Sequence, residues 1–190
     1  MHKSAIILLF CLFIANSPIM AKEVEGIAIP DTLAFANIDS SLLLNGAGIR
    51  EKFFLDIYIG ALYLPARTPD ASAILSDTGP ASVLMHILYG EVSKEKITEG
   101  WTDGLKANLS DQEMQTLKPQ LEKFNDLFQD LLKGDQIRID YIPGIGTEVR
   151  INAELRGVVE GNDFYRSLLG IWIGPHPVTK SLKRAMLGND

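Results

Sequence analysis

Four side chains in this sequence are of types that do chemistry and stand where a fold could use them: Arg50, Tyr58, His86 and Lys96. Arg50 closes the stretch Asn45-Gly46-Ala47-Gly48-Ile49-Arg50 and precedes Lys52 and a strongly apolar run. On spacing alone it is either an exposed charge at a strand end or a guanidinium turned into an apolar cleft. In the second case it needs an anion, and a bidentate carboxylate or phenolate suits it. Tyr58, farther along the same run, offers a hydroxyl donor. His86 falls in an alternating segment, where an imidazole serves as a hydrogen-bonded core or pocket residue more often than as a proton shuttle. Lys96 stands with Lys94, Glu95 and Glu99, the composition of a solvated helix face with i,i+4 pairing.

No standard catalytic motif accompanies them. There is no Gly-x-Ser-x-Gly elbow, no phosphate-binding glycine loop and no His-Glu-x-x-His pattern. His86 and His176 lie far apart in the chain, and His176 sits between Pro175 and Pro177 as a turn residue would. Neither a metal site nor a cofactor is expected.

The elements that must position these residues follow from periodicity. Phe53, Leu55, Ile57, Ile59, Ala61 and Tyr63 alternate with Phe54, Asp56, Tyr58, Gly60 and Leu62, which predicts a long strand with one core face and one face carrying polar groups. The glycines before it read as a tight bend or bulge. Short strands are expected over Glu23 to Pro30, Leu33 to Ile38 and Ser40 to Leu44, and another over Ser82 to Tyr89. Asp70 to Ser76 suits a short helix.

From Ser93 the period changes. Ile97, Trp101 and Leu105 set an apolar row on a helix from Lys94 to Asn108. Ser110 and Glu113 form a capping box for a second helix, which Pro119 is expected to kink or divide near Leu117. Strands resume over Ile137 to Tyr141, Thr147 to Ala153 and Arg156 to Glu160. A helix capped by Asn162 and a small one from Ser181 to Leu187 end the chain. The pattern is α+β: one antiparallel sheet with helices packed on one face.

The 190 residues, 46% apolar and 22% charged, suffice for one globular domain with a sizeable core. Met1 to Ala21 has the plan of a secretory signal peptide: Lys3 near the start, an apolar run from Ala5 to Ile14, then a polar, proline-containing exit. That run is too short to span a bilayer, so a soluble, exported and periplasmic mature domain over residues 22–190 is expected. Cleavage after Ala21 removes Cys11, the sole cysteine. It also removes Lys3, leaving 17 of the 18 basic residues against 24 acidic ones, a net charge of −7. Such a balance disfavours nucleic acid and anionic membrane surfaces as sequence-independent partners.

Several stretches in order resemble the chalcone isomerase-like family in its bacterial secreted branch. They are Asn45 to Arg50, the strand ending Gly60-Ala61-Leu62-Tyr63-Leu64, the helix start Lys94-Glu95-Lys96-Ile97-Thr98-Glu99, and Leu168 to Pro177. The resemblance implies an open-faced β-sandwich, with a cleft for a hydrophobic ligand between sheet and helices. It implies that Arg50 holds an anionic oxygen, that Tyr58 falls nearest the family's strand threonine, and that Lys96 matches the lysine opening the cleft helix. Ser93 replaces the tyrosine of the family's enzymes and Gly100 their asparagine, so the network that orients a reacting chalcone is incomplete. Retention of the arginine alone resembles the non-catalytic, fatty-acid-binding members. The expectation is therefore a non-enzymatic binder of a small lipophilic acid. The alternatives are an isomerase or intramolecular lyase of a chalcone type, and a structural or partner-binding domain whose cleft its own side chains fill.

Overall fold

The computed structural model describes residues 21–35 and 41–189, so the signal-peptide segment up to Met20 and part of the Leu33 to Ile38 strand lie outside it. A hairpin of β1 (Ala21–Val24) and β2 (Ile27–Pro30) leads into β3 (Thr32–Ala34) and the long β4 (Ser41–Lys52) and β5 (Leu55–Leu64). After α1 (Ala71–Ser76) come β6 (Ala81–Ile87), β7 (Glu91–Val92), α2 (Lys94–Asn108) and α3 (Asp111–Asp126). The chain then forms β8 (Leu131–Leu132), β9 (Gln136–Ile142), β10 (Gly146–Ile151), β11 (Glu154–Val159), α4 (Asn162–Ile173) and α5 (Lys180–Met186). Seven strands make one antiparallel sheet in the order β11-β10-β9-β6-β5-β4-β3, while β1-β2 and β7-β8 are separate pairs.

The helices cover one face of this sheet. Trp101, Phe124, Leu168 and Trp172 from α2, α3 and α4 join Tyr58, Leu62, Val83 and Ile139 from the strands in one core. The other face is also apolar. Ile59, Ala61, Tyr63 and Leu84 pack there with Ile29 of β2 and Phe35. The architecture is α+β with helices on one side, as the alternation predicts, but the expected polar face of β5 is buried over most of its length.

Tertiary packing corrects two expectations. The Asn45-Gly46-Ala47-Gly48 stretch is not a bend: it runs inside β4, and the turn falls at Phe53-Phe54 instead. A Cβ on Gly46 would collide with the Ala185 carbonyl and one on Gly48 with the Ala185 side chain, so the glycines let α5 lie against the strand backbone. Asn45 is the extra residue of a bulge between Leu44 and Gly46. Its amide donates to the Met186 carbonyl at 2.8 Å and accepts from the Thr68 amide at 2.7 Å, which fastens the end of α5. Pro119, expected to divide α3, lies within one continuous helix whose Leu117, Leu121 and Phe124 all reach the core.

Candidate functional site

The close seat of α5 on β4 determines what happens two residues farther on. Gly46 and Gly48 spend the helix-facing side of β4 on α5, and the next residue on that side is Arg50. Tyr58 is its cross-strand partner on β5. Between Arg50 and Glu51 the register shifts and Ile57 is the extra residue, so Ile57 packs on the helix side together with Tyr58. Here α5 no longer covers the sheet, and a cleft of about 590 Å³ opens against α2. Its apolar wall includes Ile57, Ile87, Ile97, Trp101, Ile171 and Val178.

Arg50 reaches into this cleft. Its guanidinium carbon stands 5.6 Å from the centre of the Tyr58 ring, a cation–π contact. Its Nε is buried and has no hydrogen-bond partner, and no carboxylate of the described residues forms an ion pair with it. Trp101 Nε1, on the opposite wall, is likewise buried without an acceptor. Tyr58 is fully packed, and its hydroxyl accepts from Trp172 Nε1 of α4 at 2.9 Å. Burial raises the Tyr58 pKa, against the opposing pull of Arg50 and the Trp172 bond, so the phenol keeps its proton and can donate it to a bound acceptor.

Lys96 lies on the first turn of α2, exposed at the rim of the same cleft. Lys52, Glu91, Glu99 and Asp103 are exposed on the same cleft. Ser93 caps α2, its hydroxyl accepting from the Lys96 amide at 3.3 Å. Gly100 faces the cleft, and a Cβ built there would meet nothing within 4 Å.

His86 is placed elsewhere. It lies on the opposite face of the sheet and lines a second cavity of about 600 Å³ with Ile29, Phe35, Arg138 and Arg150. The alternation of β6 dictates this: Met85 and Ile87 join the helix-side core, so His86 must point away. Its Nδ1 is buried without a partner, and burial lowers its pKa. The two arginines beside it are engaged. Arg138 donates to Asp140 at 2.8 Å and Arg150 to Glu148 at 2.6 Å. The structure thus brings Arg50, Tyr58 and Lys96 to one cleft and leaves His86 outside it. Trp172 and His176 belong to the arrangement although spacing did not single them out. His176 lines the cleft mouth, its backbone exchanging hydrogen bonds with the Asn108 amide at 2.9 and 3.0 Å.

A family profile described as chalcone isomerase-like matches residues 21–188, nearly all of the chain. The chain belongs to the chalcone isomerase-like family. Among solved structures, this chalcone isomerase-like domain is similar to the Arabidopsis thaliana fatty-acid binding protein AtFAP1. The TM-score is 0.64 at 22% identity, covering 90% of this chain and 96% of that one. At that identity the likeness establishes the fold. No curated protein matches the domain.

Proposed function

We propose that this domain is a non-enzymatic binding protein for a small lipophilic monocarboxylic acid, a fatty acid being the type case. One observation carries the reading: the Arg50 guanidinium enters an apolar cleft with a buried Nε that no acceptor among the described residues satisfies. A half-buried guanidinium with an unsatisfied Nε gains most from an anion that brings its own apolar body, because a buried donor left unpaired is costly. A carboxylate fits the guanidinium fork, and the protonated Tyr58 hydroxyl beside it supplies a further donor. The cleft volume falls within the roughly 300–1,000 Å³ of small-molecule sites. The similar plant structure is that of a fatty-acid binding protein, which agrees with this ligand class.

Ser93 is committed to the helix cap and Gly100 presents no side chain. The positions that the resemblance assigns to a substrate-orienting tyrosine and asparagine are therefore silent, which favours holding over turnover. Lys52 and Lys96 at the rim are offset by Glu91, Glu99 and Asp103, so selection of an anion rests on Arg50. Export is the second part of the reading: residues 1–21 act as a signal peptide, and intact mass of the purified protein is expected to start at Lys22.

The test is to extract purified protein with organic solvent, identify co-purifying acids by mass spectrometry, and titrate the delipidated protein with palmitate. Arg50→Ala is expected to weaken binding by about tenfold or more, the value of a charge-assisted pair. Absence of any lipophilic acid, or equal affinity in Arg50→Ala, defeats the proposal.

A further inference from the structure

Among the described residues, three two-residue hairpin loops hold both of their central residues at positive φ. They are Glu25-Gly26, Asn152-Ala153 and Phe53-Phe54. Such loops suit the right-handed twist of paired strands, and Asn or Gly normally fills them because bulky residues strain there. The first two loops each contain one such residue. The third holds two phenylalanines at φ 51° and 65°. These residues are 82% and 102% exposed, and Leu55 beside them is 48% exposed. Neither turn chemistry nor the core accounts for two aromatic rings in strained backbone at the farthest point of a hairpin.

We propose that the Phe53-Phe54 tip docks this domain onto a phospholipid bilayer by inserting its two rings below the headgroups. The tip is a two-residue turn beyond the last paired residues with both phenylalanines exposed, a shape able to enter between lipids. Ladder pairing continues to Lys52 and Leu55, so only the two-residue turn lies beyond the paired strands, and at headgroup depth water and headgroups can meet its backbone groups. Behind the rings stand the exposed Glu51, Lys52 and Asp56, one basic residue and two acidic ones, so the collar suits zwitterionic headgroups and not an anionic surface. Lys52 Nζ lies 5.9 Å from the Phe53 ring centre, placing an ammonium where it can reach the phosphate level. No described helix is long and apolar enough to cross a membrane, and this docking needs none.

The same hairpin forms the lip of the cleft, since Arg50, Lys52 and Ile57 line it. Tyr89, 39% exposed and also on the cleft, is hydrogen-bonded through its amide to the Ile57 carbonyl at 3.2 Å. Docking therefore brings the cleft mouth to the lipid surface, where a lipophilic acid passes between bilayer and protein without crossing water. That exchange step rests on the acid-binding reading, whereas docking does not.

Phe54→Trp supplies a reporter, because Trp101 and Trp172 are both buried. With phosphatidylcholine vesicles its emission is expected to shift to the blue and to be quenched by bromine-labelled chains, with both effects surviving high salt. Phe53→Asn/Phe54→Gly is expected to bind the vesicles about tenfold or more weakly, each ring lost removing a large apolar area from the bilayer. The same variant should melt at the wild-type temperature or above, since Asn-Gly suits the loop. It should keep its palmitate affinity but hand palmitate to vesicles more slowly. An unshifted, unquenched Phe54→Trp, or an Asn-Gly variant that sediments with vesicles like wild type, overturns docking while leaving acid binding intact. A tip-dependent dimer that ignores vesicles overturns it in favour of a protein partner. Vesicle binding with no palmitate binding sustains docking and removes the exchange step.

Discussion

Tyr58 serves two neighbours, and that makes its loss separable into stability and binding. Phenylalanine at position 58 leaves Trp172 Nε1 buried without its acceptor, a cost of about 1–3 kcal/mol. Trp172→Phe leaves a cavity in the core, but in Tyr58→Phe/Trp172→Phe the loss is expected to be smaller than the sum of the two single losses, because no orphaned donor remains. Palmitate affinity should stay low in both variants if the hydroxyl also meets the ligand. Urea midpoints and titration separate the two roles. His86 contributes a different dependence. Its pKa is lowered by burial, so as pH falls through the ordinary value of 6.5 the unfolded chain takes up a proton that the folded one resists. Stability present above that pH is lost as pH falls toward the folded pKa. His86→Gln should show a flatter urea midpoint between pH 8 and pH 5, with palmitate affinity unchanged because His86 faces the other cavity. Equal pH slopes in the two proteins would contradict this.

At the level of elements, the division between what the sequence discloses and what it conceals follows interaction range. The caps of α2 and α3 are legible because Ser93, Ser110 and Glu113 act on backbone within one turn. The strands and helices themselves follow from periods of two and 3.6. The Gly46 and Gly48 pair was illegible as strand because its cause is Ala185, near the far end of the chain. The Tyr58 to Trp172 bond and the exclusion of His86 from the cleft are hidden for the same reason: both depend on which layer covers which face. This origin is testable. Gly48→Ala places a methyl against the Ala185 side chain and is expected to destabilise by about 1–3 kcal/mol. Ala185→Gly in that background should restore part of the loss, a favourable coupling. Gly46→Ala meets the Ala185 backbone carbonyl, so the same second change should leave it unrescued.

For the whole molecule, the cleft lies between the sheet and α2, with residues of β4, β5, α2 and α4 on its walls, so an occupant joins elements that otherwise meet across a gap. A ligand bound only by the folded state stabilises that state by mass action. At about one hundred times its dissociation constant, palmitate should add about 2.7 kcal/mol. For a domain of this size that corresponds to a rise of roughly 5–10 °C in melting temperature. Arg50→Ala, if tenfold weaker, should lose about half of the rise at the same palmitate concentration, since about 1.4 kcal/mol remains. The methyl ester of palmitate should raise the melting temperature of wild type less than the acid does, since it carries the chain without the anion. Phe53→Asn/Phe54→Gly should show the full rise, because those rings lie outside the cleft lining. Scanning calorimetry of these combinations separates the anchor from the lip. An ester as effective as the acid would mean that the apolar wall alone selects the ligand, and the unpartnered guanidinium would need another explanation.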